Sequence, residues 1–394
     1  MGGASLTRRR LLTGVGMAVV GAGLTACGDN DNTTPGQGGG TTSAPANGQG
    51  GGQGDPAALR KKIASLLVVG FRGSTVSPGD WVMKAITEQG LGGVILFDKD
   101  QLTNGRRNIN SPEQVKSLIQ TLKSASSRLI VSVDQEGGAI SRLNPSNGFP
   151  SFKSAAAIGA ADSPEATRAW ARQMAQMLAS VGFNFNFAPV VDLNVNSSSP
   201  AVGELGRSFS ADPQVVIANA SEEIQQHREA KVTTANKHFP GLGSATANTD
   251  FSVVDVSDTW KPVELEPFRG LIADGMTDTV MVGHILNRQI DPQLPMSLSP
   301  AAVTDLLRGQ LGWKGAVVSD DMQAVAITER YSTAEAVGLA LTAGMDLLVY
   351  ANQQVYDPDI LTKVVDSVVD MVRTQKISEA QINEAVARVD AIRH

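Results

Sequence analysis

Five short stretches of the chain bring together side chains able to do chemistry: Asp134-Gln135-Glu136, Asp192, Lys237-His238, His284 and Ser319-Asp320-Asp321. Singly, each has a bland explanation. An aspartate can cap a turn or a helix start, and a histidine can be a hydrogen-bonded core residue. Other catalytic tools are missing. The one cysteine, Cys27, lies far from these stretches, and no Gly-x-Ser-x-Gly elbow, Walker loop or His-Glu-x-x-His occurs. Four histidines leave little room for a histidine-rich metal centre, and neither a metal nor a cofactor is expected. Carboxylates, one lysine and two histidines remain. That set suits cleavage of a glycosidic bond, which needs one carboxylate opposite an acid/base group.

Each stretch follows a short apolar run. Strands are expected at Leu66–Phe71, Gly93–Phe97, Leu129–Asp134, Phe185–Val191, Thr233–His238, Thr279–His284, Gly315–Ser319 and Asp346–Tyr350. Between them, helical patterns fall near 78–89, 111–124, 163–181, 212–229, 262–274, 299–311, 333–343 and 357–374. A last amphipathic segment, Ser378 to Arg393, opens with the Ser-x-x-Gln capping pattern. Continuous apolar strands alternating with helices predict a parallel sheet covered on both faces. Eight such units predict an α/β fold closed into a single (β/α)8 barrel, with a doubly wound sheet as the runner-up. A barrel places its chemistry at the C-terminal strand ends, where all five stretches fall.

The first fifty-five residues are of another kind. Arg8-Arg9-Arg10 precedes a 16-residue apolar run, Leu11 to Ala26, short of the about 20 that span a bilayer. A basic start and a short apolar run read as a secretory signal over residues 1–26, with a twin-arginine pattern at Thr7 to Leu12. Leu24-Thr25-Ala26-Cys27 resembles a bacterial lipobox, so Cys27 is expected to carry lipid and to anchor the exported chain to the outer face of the cytoplasmic membrane. Residues 27–55, rich in Gly, Thr and Gln, read as a flexible tether. The folded domain is expected over 56–394.

Against 33 Lys and Arg stand 39 Asp and Glu, a net charge of −6, which argues against a nucleic-acid partner. Aromatic residues make up 5%, offering few stacking platforms, so exo action on a short substrate is expected rather than polysaccharide binding. The chain is expected to be a monomer.

The motifs carry a resemblance. Lys237-His238-Phe239-Pro240-Gly241-Leu242-Gly243 resembles the KHFPGHG signature of glycoside hydrolase family 3, in its bacterial β-N-acetylglucosaminidase branch. Val133-Asp134-Gln135-Glu136-Gly137-Gly138 resembles that branch's VDQEGG, Arg207-Ser208-Phe209 its RSF, and Ser319-Asp320-Asp321-Met322 its nucleophile segment. Ala188 to Asp192 and Ala343 to Asp346 also fit, and the motifs stand in the family's order over roughly residues 60–390. The resemblance implies a (β/α)8 barrel and an exo-acting retaining enzyme that removes N-acetylglucosamine from peptidoglycan fragments or related glycosides. Asp320 would be the nucleophile. Asp134, Arg142, Arg207, Lys237 and His238 would bind the sugar hydroxyls, with His284 as a further site residue.

The sequence departs from this pattern at the acid/base. The branch carries an Asp-Ser-His in the loop after the signature; here that loop reads Asn248-Thr249-Asp250, and Leu242 replaces the signature's second histidine. Asp250 therefore stands in the acid/base slot. A free aspartate titrates near 3.9, so half-protonation at pH 7 needs a shift worth about 4 kcal/mol. Burial beside Asp320 is the expected cause. Three alternatives stay open: a glycan- or muropeptide-binding lipoprotein with little or no catalysis, a phosphorylase or β-glucosidase of the same family, and a class I aldolase using Lys237 as a Schiff base.

Overall fold

The computed structural model describes residues 55–393. The signal segment, the tether and Cys27 lie outside the described residues. Eight strands close into a barrel: β1 (Leu67–Gly70), β2 (Gly93–Ile95), β3 (Ile130–Val133), β4 (Phe185–Asn186), β5 (Thr233–Phe239), β6 (Thr279–Val282), β7 (Val317–Asp321) and β8 (Leu347–Tyr350). Each pairs in parallel with its neighbours in chain order, and β8 pairs with β1 through Leu67 opposite Leu348. Every residue of β1, β3, β6 and β8 is buried, as strands covered on both faces must be.

The helices start where the sequence puts caps. Ser111, Ser163 and Asp212 each accept a hydrogen bond from a first-turn N–H, and a proline follows each one. Proline suits that place because its ring presets the helical φ and its missing N–H would have had no partner. Ser378 and Gln381 form the reciprocal cap the sequence predicts. Gly182 and Gly344 end their helices at φ of 107° and 104°, a region that favours glycine.

Several elements differ from expectation. The fourth strand is only Phe185–Asn186 rather than Phe185–Val191. Pro189 has no N–H for a ladder, and the chain regains β5 further on, where Val191 donates to the Lys237 carbonyl at 2.8 Å. The segment near 78–89 begins as α-helix at Trp81–Lys84 and widens to a π turn at Ala85–Gln89; Ala301–Gln310 is π throughout. The helices Pro56–Ser65, Ala155–Gly159 and Val325–Thr328 and a hairpin pairing Gln135–Gly137 with Ile140–Ser141 were not anticipated.

Asp346, part of one family-like motif, is structural. It sits just before β8, buried, and accepts from Arg308 at 2.6 Å, Arg388 at 3.0 Å and the Val317 N–H at 2.9 Å. No helix among the described residues is long and apolar enough to cross a membrane.

Candidate active site

A cavity of about 130 Å³ opens among the C-terminal strand ends. Asp134, Arg142, Arg207, Lys237, His238, Asp250 and Asp320, all singled out from the sequence, line it. They come from four strands of the barrel and the connections that follow them. Asp134 ends β3, Lys237 and His238 belong to β5, Asp320 belongs to β7, and Arg207 and Asp250 stand in the connections after β4 and β5.

The cationic groups are tied down by carboxylates. The Lys237 ammonium donates to Asp134 Oδ1 at 2.9 Å and to Glu136 Oε1 at 2.7 Å. The Arg207 guanidinium meets Glu136 through Nε at 2.7 Å and Nη2 at 2.8 Å, and its Nη1 donates to the Ala201 carbonyl at 2.6 Å. Arg142 approaches Asp134 more loosely, at 4.0 Å, and lies over the Phe97 ring. His238 is held from behind: its Nδ1 lies 2.7 Å from Asp192 Oδ2, while Asp192 Oδ1 accepts from the His238 and Leu242 N–H groups. A buried Asp192 at Nδ1 favours the proton there, which leaves Nε2 toward Arg207 at 3.4 Å as an acceptor.

Asp250 and Asp320 face the same cavity with opposite protonation preferences. Burial pushes the Asp250 carboxyl up, and the Asp320 carboxylate adds to it, to about 6. Burial would also raise Asp320, but the imidazoles of His284 and His238, the Asp321 N–H at 2.8 Å and the Lys237 ammonium hold it below the ordinary aspartate value. A carboxyl that keeps its proton beside one that sheds it is the pairing acid-assisted displacement requires.

The loop bearing Asp250 is braced. Its N–H donates to Asn248 Oδ1 at 2.9 Å. The carbonyls of Thr249 and Asp250 accept the N–H groups of Ala326 and Val325, both at 3.2 Å, at the start of the short helix following β7. The loops of the two carboxyls are thereby joined.

Comparison with known proteins gives the same frame. Residues 58–392 match the family model described as the glycosyl hydrolase family 3 N terminal domain. The chain belongs to glycoside hydrolase family 3. It is 32% identical over 303 residues to a β-hexosaminidase of Stenotrophomonas maltophilia, covering 74% of this chain and 85% of that one. The solved β-N-acetylhexosaminidase from Beutenbergia cavernae is 32% identical with a TM-score of 0.74, over 84% of this chain and 97% of that one. A family 3 β-N-acetylglucosaminidase from a Paenibacillus species is also 32% identical, with a TM-score of 0.76. There 85% of this chain is covered but 62% of the other, so the chain spans under two thirds of that enzyme.

Within this family 3 barrel one expected residue falls outside the cavity. His284, expected to be a site residue in contact with substrate, is buried behind β7 and does not line the cavity. Its Nε2 lies 2.9 Å from the Asp321 carbonyl, which can only accept, so Nε2 carries the proton. Its Nδ1 lies 2.7 Å from the Ser297 hydroxyl, so both nitrogens are engaged. His284 therefore supports the strand of Asp320 rather than meeting a ligand.

Three residues of the chemistry-bearing stretches, given no role of their own from the sequence, act at the site. Asp192 orients His238, Glu136 joins Arg207 to Lys237, and Asp321 adds a further carboxyl to the cavity wall beside Asp320. Burial pushes Asp321 up to about 7, although its Oδ1 accepts the N–H groups of Ala351 and Gln323. Both Asp192 and Glu136 stand inside quoted motifs, which was the available signal.

Proposed function

We propose that the chain is an exo-acting, retaining β-N-acetylglucosaminidase acting on peptidoglycan fragments or related glycosides. The observation that carries this is the pairing of Asp250, protonated up to about pH 6, with the ionised Asp320 across one small cavity. Asp320 attacks the anomeric carbon while Asp250 gives its proton to the leaving oxygen. Water then cleaves the glycosyl-enzyme, with Asp250 now acting as base. Arg207, Lys237, His238, Asp134 and Arg142 grip the terminal sugar, through charge-assisted hydrogen bonds that suit neutral hydroxyls. The small cavity favours one sugar at a chain end. The choice of N-acetylglucosamine rests on the Paenibacillus relative, named a β-N-acetylglucosaminidase; the Stenotrophomonas relative is named more broadly a β-hexosaminidase.

Two features bear on the alternatives. A Schiff-base lysine must shed its proton. Although burial pulls the Lys237 ammonium down, Asp134 and Glu136 outweigh that and hold it above the ordinary value, which disfavours an aldolase. A carboxyl rather than an imidazole as acid/base leaves the second step facing a negative Asp250, which repels phosphate and favours water.

The test is product analysis on muropeptides and a chromogenic N-acetylglucosaminide, with and without phosphate. Free N-acetylglucosamine released first as the β-anomer, at a rate indifferent to phosphate, is expected. Sugar 1-phosphate as product, or release of glucose alone, would overturn the reading.

We further propose that the enzyme is displayed on the cell envelope through lipid on Cys27, on the strength of its lipobox-like sequence. Replacing Cys27 with Ala is expected to free the protein from membranes on fractionation. A variant that stays membrane-bound after signal cleavage would sink this.

A further inference from the structure

We propose that Glu136 is a positioning residue for sugar recognition, one that fixes the Arg207 guanidinium and the Lys237 ammonium on the cavity wall so that their remaining N–H groups meet the hydroxyls of the terminal sugar. The proposal rests on the functional reading above only for what occupies the cavity.

The backbone at Glu136 is nailed in place before its side chain does anything. Gln135 on one side uses its backbone N–H and carbonyl with the Asn186 amide, at 2.9 and 3.0 Å. Its side chain bonds the Leu143 N–H and carbonyl at 2.9 and 3.1 Å. Gly137 on the other side has φ of 90°, and a Cβ there would lie 2.4 Å from the Lys153 carbonyl oxygen, so only glycine fits. Between these anchors the Glu136 carboxylate is almost wholly buried, at 4% exposure, and points at two cations.

Counting donors shows what the carboxylate leaves free. Lys237 has three N–H directions. Asp134 and Glu136 take two of them. Arg207 has five. Glu136 takes Nε and one of Nη2, His238 Nε2 faces the other of Nη2, and Ala201 takes one of Nη1. Each cation therefore keeps an unspent donor, and both line the cavity. A long cationic side chain held by one partner would sweep several rotamers; held by two or three it cannot, and the ordering cost of gripping a sugar is met before the sugar arrives.

The charges around the pair make Glu136 hard to replace. Lys237 is faced by Asp134 just after β3, Glu136 from the hairpin, Arg207 from the loop after β4, Asp320 from β7 and Glu223 from the helix Pro213–Glu229. Glu223 offers no counter-charge. Burial first, and the negative Glu136 second, push its acid well above the ordinary glutamate value, and its Oε1 has no hydrogen-bond partner. Without Glu136, Asp134 is the carboxylate left in direct contact with Lys237, and burial pulls that ammonium toward its neutral form.

The experiment measures binding of N-acetylglucosamine by calorimetry, and turnover of a chromogenic N-acetylglucosaminide, for the wild type and Glu136→Gln across pH. The variant is expected to bind the sugar about tenfold more weakly, and KM to rise by a similar factor, as for loss of charged hydrogen bonds. kcat should change less. The alkaline limb of binding should move to lower pH, because Lys237 gives up its proton sooner. The loss should not add to that of Arg207→Met, since both remove the same grip. A residue with only a structural role would lower the melting temperature without moving the pH limb. Unchanged binding, or a loss equal at every pH and additive with Arg207→Met, overturns the proposal. Should Glu136→Gln fail to fold, Glu136→Asp carries the test, keeping the charge one methylene further back. It is expected to bind several-fold more weakly with the wild-type pH limb, and unaltered affinity again overturns the proposal. Binding is read apart from turnover, so a wild type that binds the sugar yet releases none from glycosides overturns the proposed function alone.

Discussion

Replacing Asp320 with Asn is expected to lower kcat/KM by roughly three orders of magnitude or more, about 4 kcal/mol of transition-state stabilisation. The argument is local. Asp320 stands on β7, where the strand opens into the cavity, and the Asp321 N–H on its Oδ1 fixes the carboxylate from behind. An amide keeps the size of the group and an oxygen for that N–H, so the fold should survive and the loss should be chemical. The amide cannot form the glycosyl ester that a retaining reaction passes through. A 2-fluoro sugar with a good leaving group should label Asp320 covalently in the wild type and label nothing in the variant. Label on Asp321 would move the role one residue along the strand. An active Asp320→Asn enzyme would mean that no covalent intermediate forms there, and a wild type no faster than the variant would favour a glycan-binding lipoprotein.

The barrel was legible because parallel strands buried on both faces must be written as unbroken apolar runs, such as the Leu-Val-Val-Gly of β1 and the Leu-Leu-Val-Tyr of β8. Helix starts were legible where Ser-Pro or Asp-Pro gives a cap followed by a preset φ. The helix Pro56–Ser65 was not, since it buries only Ile63 and Ala64 and so carries little periodicity. The hairpin at Gln135–Gly137 is too short to show alternation, yet it aims Glu136. Residue types and strand ends pointed to the site, but partners across the barrel stayed hidden. Arg207 lies 71 residues from Glu136 in sequence, and nothing local to either names the other. His284 fails for the same reason: its end of β6 could face the cavity or the next strand, and only the fold brings Ser297 and the Asp321 carbonyl onto its ring.

Asp250 is the position where the chain leaves its family pattern, and there the expected result depends on the substrate. As an acid, Asp250 must hold its proton when substrate arrives. Burial, with the Asp320 carboxylate adding to it, raises it to about 6, so the protonated fraction is high below that pH and falls above it. Asp320 must be ionised, and its lowered value keeps it so until well into the acid range. The working window therefore lies on the acid side of neutrality, between these two limits, and kcat/KM should decline as pH rises through about 6. A carboxyl at about 6 stays short of half-protonation at pH 7, so the optimum lies on the acid side of neutrality. Asp250→Ala should erase the alkaline limb. It should cost cleavage of natural disaccharides about 10²- to 10⁴-fold, the usual worth of a positioned acid. Nitrophenyl glycosides, whose leaving group departs without a proton, should suffer far less in the first step. Their second step still lacks a base, and azide, which needs none, should restore turnover by capturing the glycosyl-enzyme as a β-glycosyl azide. Asp250→His offers the converse reading, since an imidazole in that slot should carry the alkaline limb upward toward neutrality. Equal losses on both substrates, no azide product and an unmoved pH limb would place the acid elsewhere and leave Asp250 as a brace between its loop and the helix after β7.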